Sequence, residues 1–414
     1  MLESKRILIL TADAGFGHRS AANAIAEALR ETHGQECVID VVNPLDNKRT
    51  PAMLRNSQAD YDRWAREMPD LYKFGYEASD ATVPSALAER ALRVLLYTVM
   101  RETVRQYQPD AIVTTYPLYQ APLGTVFAIS KRYTPLITVV TDLATVHRLW
   151  FSDDADLCLV PTSIVRDLAI EAGLDPDRVQ ITGIPVHPRI TRDTRDRSAL
   201  RAELGWRNDL TTILAVGSKR VEHMADILHT LNHSGLPIQL AVIAGGDDEA
   251  YQRYQKTEWH VATHIYNFVK DMPTMMRAAD GIVCKAGGLI VTESLASGLP
   301  MMLIDVIPGQ ETGNAQYVID GGAGRIAHDP IEALEIMCHW LNQGGQQLAD
   351  QAANARQLGR PRAAYDIAEL AWTAAQRGPQ IKTTAQILGF TNLVDLLKRH
   401  NVPLEEDQPE PPSS

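Results

Sequence analysis

The chain has 414 residues, 45% of them hydrophobic and 22% charged, which suits a folded protein of two domains and excludes a disordered one. A net charge of −11 argues against a nucleic-acid partner, whose phosphates call for a basic footprint. The four cysteines, Cys37, Cys158, Cys284 and Cys338, form no CxxC pair, so neither structural zinc nor a disulfide framework is expected, and a reducing compartment fits.

Short β-branched runs alternate with helical patterns along the chain, the signature of a parallel-sheet α/β protein. The first strand, expected over residues 6–11, breaks at Asp13 into Ala14-Gly15-Phe16-Gly17-His18-Arg19-Ser20 and an alanine-rich helix over 21–30. Strand, glycine turn and helix N-terminus together make an anion site, so Gly15 and Gly17 are phosphate candidates. His18 at the mouth of this loop reads either as a general base or as a helix-capping histidine. A dinucleotide fingerprint would need a third glycine at Ser20; Asp40, expected at the end of the next strand over 37–42, keeps a nicotinamide enzyme open.

Residues 61–76 carry five aromatics, Tyr61, Trp64, Tyr72, Phe74 and Tyr76. Downstream, Leu87, Ala91, Val94, Leu95 and Thr98 line one helical face and Arg90, Arg93, Arg101 and Arg105 another. An aromatic loop beside a cationic amphipathic helix suits shallow docking on anionic lipid, and a core-facing helix with a solvated charged side gives the same pattern. No apolar run approaches the roughly 20 residues that span a bilayer, and a signal-peptide layout is missing at the N-terminus. Membrane contact is therefore expected from the surface.

Further strands are expected over 111–115, 136–141, 157–160 and 179–182. Asp142 follows one of them and reads as a base or as a group that orients one; His147 reads as a supporting or a surface residue. Residues 183–188, with two prolines and a glycine, are the expected hinge, followed by a charged helix near 196–204. A second strand series is expected over 211–217, 239–244, 264–267, 281–284 and 301–304. After the fourth of these, Cys284-Lys285-Ala286-Gly287-Gly288 opens the backbone before a helix whose positive end suits a pyrophosphate. Glu293, near the start of that helix, suits a ribose diol and equally the helix dipole. Pro308-Gly309-Gln310-Glu311-Thr312-Gly313-Asn314 reads as a polar loop after a strand, with donors and acceptors suited to sugar hydroxyls. Beyond Ala323 only helices are expected, and residues 405–414 form a proline-rich acidic tail expected to be disordered.

These motifs, in this order from Ile7 to Gly324, resemble the monogalactosyldiacylglycerol synthases of plants and the bacterial diacylglycerol glucosyltransferases, family 28 glycosyltransferases of GT-B fold. The resemblance rests on 13–19, on 140–143 with His147 and Trp150, on 183–186, on 284–293, and on 308–311 with Asn314. It implies two Rossmann-like parallel-sheet domains facing across a cleft: an acceptor domain over 1–188, a donor domain over 189–345 and a helical segment over 346–404. It implies inverting, metal-independent transfer of galactose or glucose from a UDP-hexose to diacylglycerol, with no cofactor. His18 would be the base with Asp142 as partner or rival. Gly287 and Gly288 would hold the pyrophosphate, Glu293 the ribose, Gln310, Glu311 and Asn314 the hexose, and Phe268 and Val269 the uracil. Residues 61–76 fall where relatives bind the acceptor, so Trp64, Tyr72, Phe74, Tyr76, Arg93 and Arg101 are expected at acceptor or membrane, on the cytoplasmic face of the cell membrane. One departure stands out: Gly217-Ser218-Lys219-Arg220 replaces a glycine run, and Lys219 or Arg220 would pair with phosphate. Two further readings stay open, a UDP-sugar epimerase of the same architecture and a nucleotide-sugar-binding protein that has lost its activity.

Overall fold

The computed structural model describes residues 4–14, 17–55, 82–218, 221–307 and 310–381. Two units divide the described residues: those within 1–141, 146–185 and 364–381 form the first, and those within 142–145 and 186–363 the second.

In the first unit β1 (Lys5–Leu10), β2 (Cys37–Val42), β3 (Ala111–Thr114), β5 (Leu136–Val139), β6 (Leu157–Val160) and β7 (Val179–Ile181) make one sheet. Its order is β2-β1-β3-β5-β6-β7, and every pairing is parallel. Strands β3 and β5 are buried at every residue, as both faces of a parallel sheet require, and the edge strand β2 is the more open. Ile7 and Ile9 face one core with Ala22, Ile25 and Leu29; Leu8 and Leu10 face another with Leu96, Met100 and Leu123. The two-residue strand β4 (Arg132–Tyr133) pairs antiparallel with β14 (Gln380–Ile381), neither of which the apolar pattern anticipates.

The second unit holds β8 (Thr211–Val216), β9 (Ile238–Ile243), β10 (Ala262–Tyr266), β11 (Gly281–Cys284), β12 (Met301–Leu303) and β13 (Gly324–Ile326). They pair in parallel in the order β10-β9-β8-β11-β12-β13. At the C-terminal end of β8 the backbones crowd: a Cβ on Gly245, whose φ is +69°, would stand 2.1 Å from the carbonyl of Gly217. Only glycine meets both demands.

Several expectations change. Strand β13 interrupts the all-helical stretch expected beyond Ala323. The segment 346–404 is not one piece: Gln346–Leu358 stays with the second unit, whereas from Ala364 the helix Ala363–Arg377 counts with the first, because its alanine face packs on β1 and the helix Gly17–His33. Asp40 lies inside β2 opposite Leu8, two residues short of the strand end that a ribose-binding acid would need. The tail 405–414 lies outside the described residues.

Candidate active site

In open parallel sheets, ligands sit beyond the C-terminal strand ends where the strand order reverses. In the first unit that point is the end of β1, between β2 and β3, and the loop leaving it carries His18 in the first turn of Gly17–His33. His18 Nδ1 lies 2.7 Å from Thr141 Oγ1. Its ring meets Tyr116 edge-on at 5.0 Å between centroids, and Trp150 at 6.0 Å. The carbonyl of His18 accepts from the Thr115 hydroxyl at 3.0 Å. Three contacts fix the ring, and none of them is that of a helix cap.

Around it the loop is braced from below. Arg19 grips Asp13 with two parallel bonds of 2.7 and 2.8 Å, and that pairing first of all holds the Asp13 carboxyl below its usual range. Asn43 also donates to Asp13, and its carbonyl accepts from the Leu45 amide and the buried Tyr119 hydroxyl. A Cβ on Gly17 would meet nothing within 4 Å, so open space borders the helix start. Gly15 lies outside the described residues. Asp142, the residue after Thr141, is half-buried and counts with the second unit. His147 accepts from the Leu149 amide and so caps the short helix Arg148–Trp150.

Trp64, Tyr72, Phe74 and Tyr76 lie outside the described residues. The helix beyond them breaks at Leu96 into Thr82–Leu95 and Tyr97–Tyr107, which changes the expected faces. Leu92, Leu96, Val99 and Met100 are buried, while Ala91 and Leu95 are exposed. Arg93 turns inward to Glu89 and Asp154, each at 2.6 Å, and to the carbonyl of Ala121. Its charge is spent inside the fold. Arg101 lies over the ring of Tyr97 at 5.7 Å. A cavity of about 180 Å³ opens beside these helices, lined by Leu92, Pro117, Gln120, Leu149 and Phe151 among others. Gln120 ties it to the wall of His18, donating to the carbonyl of Trp150, while its own side-chain oxygen is buried without a partner among the described residues.

In the second unit the strand order reverses about β8 and β11. Helix Gly288–Ala296 follows β11 with Gly287 as an N-cap that has no side-chain hydrogen bond, leaving its first amides to a ligand or water. Glu293 is in the second turn, not near the start, and is buried with only 8% exposure. No hydrogen bond reaches its carboxylate among the described residues, and burial pushes its pKa up to about 7. The helix dipole acts within the first turn, and Glu293 lies beyond it.

Residues 310 onward are not a loop: Gln310–Asp320 is a helix. Glu311 and Asn314, three apart, share its inner face and are both buried. Glu311 is ion-paired with Lys285 and accepts from the Ile307 amide at 3.2 Å; Asn314 donates to the carbonyl of Ala286 at 3.0 Å. Both therefore clamp the strand end that carries Gly287. A Cβ on Gly287 would press on Lys285 Nζ at 3.3 Å. Lys285 was not singled out by sequence; its place beside two glycines was the available signal. At the far edge, Phe268 follows β10 with its ring 69% exposed, next to the half-buried Val269. Lys219 and Arg220 lie outside the described residues.

The family model for monogalactosyldiacylglycerol (MGDG) synthase matches residues 18–186, and that for the glycosyltransferase family 28 C-terminal domain matches 214–370. A probable monogalactosyldiacylglycerol synthase 2, chloroplastic, from Oryza sativa subsp. japonica is 32% identical over 385 residues, covering 88% of this chain and 79% of that protein. Monogalactosyldiacylglycerol synthase 2, chloroplastic, from Arabidopsis thaliana is 30% identical over 404 residues, covering 94% and 86%. Among solved structures, MurG from Acinetobacter baumannii matches with a TM-score of 0.56 at 18% identity, over 89% of this chain and 99% of that one. A UDP-GlcNAc 2-epimerase from Neisseria meningitidis, bound to UDP-GlcNAc, matches with a TM-score of 0.56 at 13% identity, over 89% and 100%. At such identities the structures share a fold and no more, so the fold does not separate transferase from epimerase; the sequence relatives do.

Proposed function

The chain belongs to the monogalactosyldiacylglycerol synthase family, and from that premise we propose that it moves a hexose from a UDP-sugar to diacylglycerol. It is a glycosyltransferase of GT-B fold. The names of the relatives favour galactose as the sugar.

The observation that carries the reading is His18, held by Thr141 and two aromatic rings at the end of β1. In the tautomer a base requires, Nδ1–H donates to Thr141 Oγ1, and the basic lone pair is on Nε2. There it takes the proton of the acceptor hydroxyl as that oxygen attacks the anomeric carbon. The bond to the diphosphate breaks on the opposite face, its electron pair leaves with UDP, and the configuration inverts. Gly287 and Gly288 receive the growing phosphate charge at a helix N-terminus, supported by the nearby Lys285. The unpartnered carboxylate of Glu293 suits the two hydroxyls of a ribose, and the exposed Phe268 ring suits stacking on a base. Gln310, Glu311 and Asn314 border the hexose, and Asp142 sits one residue from the partner of His18. The diphosphate is stabilised by protein groups and not by a metal, so turnover should persist in EDTA.

Among the described residues no helix is long and apolar enough to cross a membrane. The acceptor would be met at the inner surface of the cell membrane, with Arg90, Ala91 and Leu95 on the exposed side of their helix. Co-sedimentation with anionic vesicles tests that contact. The reaction is tested by UDP release from UDP-galactose and UDP-glucose in competition, with and without diacylglycerol. Absence of lipid-dependent release with either sugar would sink the proposal. His18→Ala should lose turnover at least a hundredfold with UDP binding retained.

A further inference from the structure

Asp305 lies two residues past β12 with φ +50°, a left-handed backbone that strains a non-glycine residue. Its carboxylate is fully engaged by one residue. Oδ2 accepts the backbone N–H of His223 at 3.0 Å, and Oδ1 accepts from His223 Nδ1 in a very short contact. His223 ends the loop that leaves β8 and precedes the helix Met224–Asn232. Strands β8 and β12 are not neighbours, since β11 runs between them. With strands about 4.8 Å apart, a bridge from the β8 loop to the β12 loop spans the C-terminal end of β11. That end opens into Lys285-Ala286-Gly287 and the uncapped helix Gly288–Ala296.

The His223 side chain is 54% exposed, and Nε2 has no partner among the described residues. The bond to Asp305 and then its charge raise the pKa of the ring, with Glu222 and Asp226 on its own segment adding to the effect. On the neighbouring elements, Lys285 is paired with Glu311. Asp305 thus holds the His223 ring, its pKa raised, at the end of the loop that leaves β8.

We propose that His223 is a diphosphate-contacting residue of the donor site, with Asp305 as the positioning residue that fixes its ring. Nε2–H donates to a phosphate oxygen of UDP seated at the start of helix Gly288–Ala296. This rests on the donor-site reading above. The contact is a charge-assisted hydrogen bond that strengthens as the sugar departs and negative charge collects on the diphosphate. No covalent bond to the protein is made.

The test is calorimetric titration of the full chain with UDP and with uridine, for the wild type, His223→Gln and Asp305→Gly. Uridine should bind all three alike, and UDP should bind both variants at least tenfold more weakly. Glycine accepts the left-handed backbone, so Asp305→Gly keeps the test open if His223→Gln folds poorly. As pH rises above the ordinary imidazole value the wild type should lose UDP affinity relative to His223→Gln, because the pKa of His223 is raised by Asp305; Glu293 titrates in both proteins and cancels in the comparison. UDP binding unchanged by His223→Gln, or UDP and uridine weakened equally, overturns the proposal and leaves the donor site standing. A wild type that binds neither ligand overturns the donor-site reading as well.

Discussion

Glu293 is a buried carboxyl without a hydrogen bond among the described residues, a state that is unfavourable for the charged form. Its pKa is about 7 against an ordinary 4.5. The folded state therefore binds this proton more tightly than the unfolded chain does. The contribution of this group to stability is greatest below about pH 4.5, falls as pH rises to about 7, and is lower by roughly 3 kcal/mol above that. Glu293→Gln should flatten that fall, so the variant gains stability relative to the wild type between pH 5 and pH 8 in urea titrations. The same substitution replaces one of the two carboxylate acceptors for a ribose diol with an amide donor and should weaken uridine binding about tenfold. A variant with unchanged pH dependence would show that the carboxyl has a partner in solution. Thr141 makes the complementary case. Thr141→Val keeps the shape and deletes the oxygen beside His18 Nδ1, so kcat should fall at least tenfold while KM for the UDP-sugar stays put. His18 and Glu293 were visible as residue types in glycine-bearing motifs. Thr141 was not, because its partnership spans 123 positions and only the sheet order brings β1 and β5 to either side of β3.

At the scale of elements, glycines and polar residues misled in one direction. The stretch 308–314 carries two glycines and reads as a loop, yet its second half is the first turn of Gln310–Asp320. What the sequence did not reveal is that the buried Glu311 and Asn314 have partners in Lys285, Ile307 and Ala286, which reward the helix over the turn. The arginine-bearing helix erred differently. A break at Leu96 rotates the buried stripe, so Arg93 points into the fold instead of toward solvent. Helix Gln120–Ser130 makes room for this pair through Gly124, where a Cβ would stand 2.0 Å from Asp154 Oδ1. Gly124→Ala gains helix propensity but displaces Asp154 from Arg93. The second effect should win, with a net loss of about 1–3 kcal/mol in chemical denaturation. A neutral result would mean that the loop 151–156 relaxes around the methyl group.

For the whole molecule, the two sheets were legible because buried parallel strands appear as apolar runs; the edge strands β2 and β10 carry polar residues and were still placed, and the short β4, β13 and β14 were not. The allegiance of the last helix was not legible. Ala364, Ala368, Ala371 and Ala375 form a face small enough to pack on almost any surface, so composition alone names no partner. The structure puts that face, with Ile367, against Ile7, Ile9 and the helix Gly17–His33. Trp372 stacks on His33 at 4.6 Å, and Tyr365 donates to Glu31 at 2.6 Å. The first unit thus completes its core with residues that follow the entire second unit in the chain. Trp372→Ala should destabilise the first unit by about 3–5 kcal/mol through the lost burial and the cavity left behind. The second unit, whose core contains none of these residues, should be untouched. Two-probe denaturation resolves the cases. Lipid-dependent turnover should fail at lower urea than in the wild type, while uridine binding, which reports on the second unit, keeps its midpoint. If both transitions move together, the units unfold as one cooperative body, and the last helix stabilises the molecule as a whole.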